Sequence, residues 1–367
     1  MPQLKIILSG GGTGGHIFPA VAIANEIKKQ IPDTDILFVG ALGKMEMEKV
    51  PAAGYKIIGL NISGLQRKLT LANLSFPFKV ISSLLKAKRI LNDFKPDIVI
   101  GTGGYASGPM LRAAGSRGIP TVIHESNSYP GITNRLLAKK VSKICVGMQN
   151  MEKFFPKDKL IYTGNPVRQD IANIETKRTA GLELFGYKGD KKIILVVGGS
   201  LGAKGINEAM GPNLKQLVDN NIELLWQTGK PYFETAKQQA APFASNNIKA
   251  VDFITKMDFA YAIADVIISR AGAGAVSEIC IIKKPSILVP LPTAAEDHQT
   301  QNAMSLVNSK AAILIKESDA KSKLITEAIS LLKDEARRKE LIENAGKLAM
   351  PRAAEIITEE VLKLVKR

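Results

Sequence analysis

Cysteine is almost absent from this chain of 367 residues: only Cys145 and Cys280 occur, far apart. That pair supports neither a disulfide framework nor a cysteine-based metal site. Aromatic residues make up 5 %, and no basic-aromatic RNA-binding signature or recognition helix stands out, so nucleic acid is not expected as a partner. No apolar run approaches the ~20 residues of a membrane span. The N-terminus lacks the basic, apolar and small-residue order of a signal peptide, so a cytosolic location is expected. Acidic residues are in deficit, with 34 Asp and Glu against 50 Lys and Arg, a formal net charge of +16. Such an excess favours an anionic partner: nucleic acid, an anionic bilayer or a phosphorylated substrate.

What is present is an α/β pattern. The length suits about two domains, and a hydrophobic content of 45 % suits sizeable cores. The apolar run Leu4 to Leu8 reads as a buried strand. Ser9-Gly10-Gly11-Gly12-Thr13-Gly14-Gly15-His16 follows, and then a helical pattern to Lys29. Glycines let a backbone come close to a bound group, and a helix N-terminus favours an anionic or polyhydroxylic ligand. His16 at the mouth of that helix suits a proton-transferring role; a tight turn with a capping histidine is the bland alternative. Further strands read at 35–40, 55–60, 97–101, 120–124, 144–147 and 160–164, with a short helix between 44 and 50. A second glycine-rich loop spans Gly101 to Gly108, and His124-Glu125-Ser126-Asn127 ends a strand. Alternating strands and helices mean βαβ units and a parallel sheet, whose ligand crevice lies at the carboxyl ends of the strands. All three segments fall there.

The polar stretch 170–190 separates a second α/β pattern, which opens with Lys192 to Val197 and the turn Gly198-Gly199-Ser200-Leu201-Gly202. The domains expected are 1–166, with a C-terminal helix 351–367 packing back on it, and 167–350. After Ser269 comes Arg270-Ala271-Gly272-Ala273-Gly274-Ala275-Val276-Ser277-Glu278, a small-residue loop that can admit a diphosphate against its amides. Glu278 can accept paired hydrogen bonds from ribose hydroxyls, or simply stabilise the helix dipole. Glu296 to Asn302 is a polar cluster opening another helix. His298 beside Asp297 lacks the further ligands of a metal site, and none is expected.

Gly64 to Leu91 does not fit simple core packing. A helix from about Pro77 can bury Val80, Leu84, Ala87 and Leu91 on one stripe. Leu69, Leu71, Leu74 and Phe76 fall outside that stripe, among Arg67, Lys68 and Lys79. Apolar residues ringed by cations suit an anionic bilayer surface, and Arg135, Lys139 and Lys140 can extend the face. An ordinary connection with a solvated basic face is the alternative.

Taken in order, the motifs at 10–16, 101–105, 124–127, 164–168, 198–203, 269–278 and 297–303 make the chain resemble the GT-B class of nucleotide-sugar glycosyltransferases. More closely, it is similar to the bacterial family that adds N-acetylglucosamine (GlcNAc) to lipid I, making lipid II for peptidoglycan. The resemblance implies a GT-B fold of two Rossmann-like domains facing a cleft and no cofactor. It implies UDP-GlcNAc as donor, with Thr13, Gly14, Gly15, Asn127, Arg168, Ser200, Ile254, the loop Ala273 to Glu278 and Gln299 around it. Ile254 would meet the uracil, Glu278 the ribose and Gln299 the GlcNAc hydroxyls. Leu201 stands where some relatives carry Gln. The first domain would hold lipid I, with His16 as first candidate for the catalytic base and Glu125 as second. The location implied is peripheral, at the cytoplasmic face of the inner membrane, with other cell-wall synthesis proteins as further partners. A UDP-GlcNAc epimerase, a transferase to another lipid, a nucleic-acid-binding protein and a nicotinamide dehydrogenase are the competing readings.

Overall fold

The computed structural model describes residues 3–62, 76–171, 173–199 and 201–365, the side chains of Phe76 and Gln169 excepted. The chain divides into two compact units, Met1–Val167 with Pro351–Arg367, and Arg168–Met350.

In the first unit seven parallel strands form one sheet: β1 (Lys5–Gly10), β2 (Asp35–Ala41), β3 (Lys56–Leu60), β4 (Ile98–Gly103), β5 (Thr121–Glu125), β6 (Lys143–Val146) and β7 (Leu160–Tyr162). Their order is β3-β2-β1-β4-β5-β6-β7. Helices cover both faces, which is why Ile6, Ile7 and Leu8 are all fully buried and β1 reads as an unbroken apolar run. One face is closed by helix Gly14–Gln30 and by the C-terminal helix Ala353–Val365. Ile357 and Val361, one turn apart, join Ile17, Ile23 and Ile27 in that core.

Helix Phe76–Phe94 lies on the opposite face. Its buried stripe is Ser83, Ala87, Ile90 and Leu91, whereas Val80 and Leu84 are only half-buried, so the expected stripe is rotated. The cause is polar: Ser83 Oγ donates to the Asn61 carbonyl at 3.1 Å and Lys86 Nζ to the Gly59 carbonyl at 2.7 Å. These bonds roll Ser83 inward and Leu84 partly out.

The second unit repeats the plan with six parallel strands: β8 (Lys192–Val197), β9 (Ile222–Gln227), β10 (Ile248–Val251), β11 (Val266–Ser269), β12 (Ser286–Leu288) and β13 (Ile313–Leu314), ordered β10-β9-β8-β11-β12-β13. The single tryptophan, Trp226, sits in its core and donates from Nε1 to Asn207 Oδ1 at 2.9 Å. In each unit the chain reverses its winding direction once, between β1 and β4 and between β8 and β11. Loops leaving the carboxyl ends of such a pair splay apart and open a crevice for ligand.

Candidate functional site

In the first unit, the crevice-edge loops leave β1, β4 and β5. The chain turns through Gly11 and Gly12 into helix Gly14–Gln30, whose first turn holds no acidic residue. A Cβ on Gly11 would lie 2.0 Å from Glu46 Oε1, so only glycine fits. Glu46 is fully buried; its Oε2 accepts from Gly12 N–H at 2.8 Å and its Oε1 from Ala41 N–H at 2.9 Å. One carboxylate thus ties the glycine turn to the end of β2.

His16 is clasped twice by Thr102. The ring Nδ1 lies 2.9 Å from the Thr102 carbonyl, and Thr102 Oγ1 donates to the His16 carbonyl at 2.7 Å. A carbonyl only accepts, so Nδ1 carries the proton and the neutral ring has its lone pair on Nε2. That tautomer suits a base acting through Nε2. Gly103, at φ +101°, gives the ring its space: a Cβ there would lie 2.7 Å from His16 Cε1 and Nδ1.

Glu125, 1 % exposed, ends β5. Its Oε1 accepts from Asn127 N–H at 3.0 Å and Asn127 Nδ2 at 3.3 Å, and its Oε2 from Gly131 N–H at 3.1 Å and Asn134 Nδ2 at 2.8 Å. Four donors on a buried carboxylate shape the loop 126–131 and occupy both oxygens, which leaves poor access for taking a proton from a substrate. His124, wholly buried, is held neutral, its pKa pushed down to about 4 first by burial and further by His16. Its Nε2 faces the Gly164 carbonyl and its Nδ1 faces Ser126 Oγ, both at 3.4 Å.

In the second unit, β11 leads through Arg270, Ala271 and Gly272 into helix Ala273–Ile282, which has no side-chain cap and no acid in its first turn. Its leading N–H groups therefore form a neutral-lined cradle for an anion. Arg270 does not line that cradle with spare charge: it donates to the Val289 and Pro290 carbonyls, both at 3.2 Å, and pairs with Glu317. One turn further, Glu278 Oε1 lies 3.3 Å from Arg168 Nε, and Oε2 accepts from the Tyr261 hydroxyl at 2.7 Å. Burial raises the Glu278 carboxyl above its usual range, against the pull of Arg168 and Tyr261. Gln299 Oε1 accepts from Leu291 N–H at 3.0 Å, which makes its NH2 the end suited to recognition. Ile254 is buried after β10, beside Phe253, which is exposed.

Residues 6–146 match the model of the glycosyltransferase family 28 N-terminal domain, and residues 193–359 match that of the glycosyltransferase family 28 C-terminal domain. The chain belongs to glycosyltransferase family 28. A relative from Flavobacterium psychrophilum is 54 % identical over 369 residues, covering 100 % of this chain and 99 % of its own. It is named UDP-N-acetylglucosamine–N-acetylmuramyl-(pentapeptide) pyrophosphoryl-undecaprenol N-acetylglucosamine transferase. A relative of the same name from Cytophaga hutchinsonii is 53 % identical, covering 100 % of this chain and 99 % of its own. The crystal structure of Acinetobacter baumannii MurG is similar at 30 % identity and TM-score 0.79, covering 99 % of this chain and 100 % of that one. This family 28 chain has the α/β GT-B class expected of it, two Rossmann-like parallel sheets with a helical C-terminal end.

Within the family 28 frame, Thr13 lies in the turn after β1, Gly14, Gly15 and His16 open the helix that follows, Glu125 ends β5 and Asn127 lies in the loop after it. Arg168 and Glu278 meet directly. Ala273, Gly274, Ala275, Val276 and Ser277 form the first turns of one helix, while Ile254 sits on a loop and Gln299 in the first turn of helix His298–Val307 of the same unit. Ser200, Arg67, Lys68, Leu69, Leu71 and Leu74 lie outside the described residues, as does the Phe76 side chain. Three features escaped sequence reasoning. Nothing in the sequence singles out Glu46, within a short helix, or Tyr261, within an apolar stretch. Phe78, Ile81 and Leu85, 75 %, 58 % and 62 % exposed, form a second apolar stripe on helix Phe76–Phe94. Their i, i+3, i+7 spacing was visible in the sequence.

Proposed function

We propose that this chain moves GlcNAc from UDP-GlcNAc to the MurNAc of lipid I, forming lipid II, with inversion at the anomeric carbon. The observation that carries this reading is the end-to-end match to relatives whose name specifies both donor and acceptor. The second unit holds the donor: Glu278 accepts from the ribose hydroxyls, Gln299 donates to the sugar, and the Ile254 backbone reads the uracil. Arg168, Ser200 and the opening of helix Ala273–Ile282 stabilise the diphosphate.

The first unit holds the acceptor. Its hydroxyl oxygen forms the new bond to the anomeric carbon as the bond from that carbon to the diphosphate oxygen breaks. The hydroxyl proton passes to His16 Nε2 and the electron pair leaves with UDP. Thr13, Gly14, Gly15 and Asn127 approach the reacting sugars, and Glu125 shapes the loop that carries Asn127. No helix among the described residues is long and apolar enough to cross a membrane. Peripheral docking on the cytoplasmic face fits the exposed apolar stripe Phe78, Ile81 and Leu85, with Lys79, and the exposed Ile132 and Leu136 near Arg135, Lys139 and Lys140.

The deciding experiment is UDP release from UDP-GlcNAc with and without a polyprenyl-diphosphoryl-MurNAc-peptide. Release that requires the acceptor, with formation of a disaccharide lipid, is expected. Conversion of UDP-GlcNAc to an epimer without acceptor would replace this reading.

A further inference from the structure

Glu278 projects from the second turn of helix Ala273–Ile282, and a glutamate has three side-chain torsions, the last of them broad and roughly two-fold. Accepting from two neighbouring hydroxyls at once requires its carboxylate plane to be held. Arg168 is a weak clamp: it lies 3.3 Å away and its side chain is 44 % exposed. Tyr261 is a strong one. It comes from the separate helix Met257–Ile263, it is 3 % exposed, and its hydroxyl reaches Oε2 at 2.7 Å. The ring is packed in the unit's interior, so the hydroxyl cannot follow a moving carboxylate.

We infer that Tyr261 is a positioning residue for donor binding: its hydroxyl locks the Glu278 carboxylate in the orientation that reads a ribose rather than a deoxyribose. This rests on Glu278 being the ribose acceptor in the reading above. The titratable groups facing Glu278 are Arg168, Tyr261 and Asp170. Arg168 and the Tyr261 hydrogen bond favour the ionised carboxylate, whereas burial and Asp170 oppose it. Removing the phenol hydroxyl therefore frees the carboxylate to turn and makes it easier to protonate. Both effects weaken ribose recognition, the second one at higher pH than in the wild type.

The test is calorimetric binding of UDP-GlcNAc and of its 2′-deoxyribose analogue across pH 5–8, with wild type, Tyr261→Phe and Glu278→Gln. Tyr261→Phe keeps the ring and is expected to lose roughly tenfold of the preference for the ribose donor, the scale of one hydrogen bond to a charged group. Its acid limb of binding is expected to move to higher pH. A purely structural tyrosine would change melting temperature but neither of these. Replacing tyrosine by 3-fluorotyrosine in the wild type, a stronger donor, moves the limb the other way and covers the case in which Tyr261→Phe does not fold. If Glu278→Gln loses the ribose preference while Tyr261→Phe keeps it with an unmoved acid limb, the inference is overturned and the ribose reading stands. If Glu278→Gln keeps the preference, the ribose reading fails and takes the inference with it.

Discussion

The imidazole of His16 donates from Nδ1 to the Thr102 carbonyl at 2.9 Å, and Thr102 returns a hydroxyl bond to the His16 carbonyl at 2.7 Å. The two residues are 86 positions apart in sequence. Their reciprocal bonds fix the position and the tautomer of the ring together, so the basic nitrogen is Nε2. Substituting His16 by alanine is expected to cut kcat by about 100-fold to 10,000-fold, the usual worth of a positioned base. Donor affinity, measured by calorimetry with UDP-GlcNAc alone, stays within about twofold because the groups proposed to grip the nucleotide, Arg168, Ile254 and Glu278, belong to the other unit. Near wild-type turnover would remove His16 from the mechanism.

Gly103→Ala tests the space beside that ring. A Cβ would lie 2.7 Å from His16 Cε1 and Nδ1, at a residue with φ +101°. The imidazole must move and the Thr102 bond lengthen. A displacement on the order of 1 Å near reacting atoms costs about 100-fold in rate. Steady-state kinetics should show that loss in kcat, with the protein still folded by circular dichroism.

Glu46→Ala strips the buried amide of Ala41 and the part-buried amide of Gly12 of their shared acceptor. Unmet buried donors cost about 1–3 kcal/mol each. A drop in unfolding free energy of about 1–3 kcal/mol in urea is expected, chiefly from the Ala41 amide. Gly11→Ala in the Glu46→Ala background should be better tolerated than in wild type, since the Cβ clash at 2.0 Å is with Glu46 itself. A double-mutant cycle with no coupling would contradict this packing.

His124 predicts an acid-labile fold. Its folded pKa is about 4 against 6.5 in the unfolded chain, with burial the main cause. Between those values the unfolded state binds the proton and the folded state does not. The contribution is thus fully present above about pH 6.5 and is lost as pH falls toward 4, on the order of 3 kcal/mol in total. Urea midpoints at pH 7 and pH 5 should differ more for wild type than for His124→Gln.

For the membrane face, replacing Phe78 and Leu85 together by glutamate puts charge where two exposed apolar side chains stand. Sedimentation with phosphatidylglycerol vesicles should fall by roughly tenfold or more, since both apolar burial and attraction to anionic lipid are reduced. Unchanged vesicle binding would move the docking face elsewhere on the chain.

Much of this protein is local and therefore readable from its sequence. Buried parallel strands carry unbroken apolar runs, as in Ile6–Leu8 and Ile193–Val197, and strand-to-helix turns that approach other groups closely must be glycine. Those two rules alone reveal the repeated βα units and the positions of His16, Glu125 and Glu278 at strand ends or helix openings. What the linear order could not decide is which distant group each of them meets. Thr102 sets the His16 tautomer, Tyr261 holds Glu278 and Glu46 anchors Gly12. Each of these contacts depends on crossovers that bring remote loops to one end of a sheet. Burial then sets the charge state, as with His124, because desolvation is a property of the packed surroundings and not of the residue.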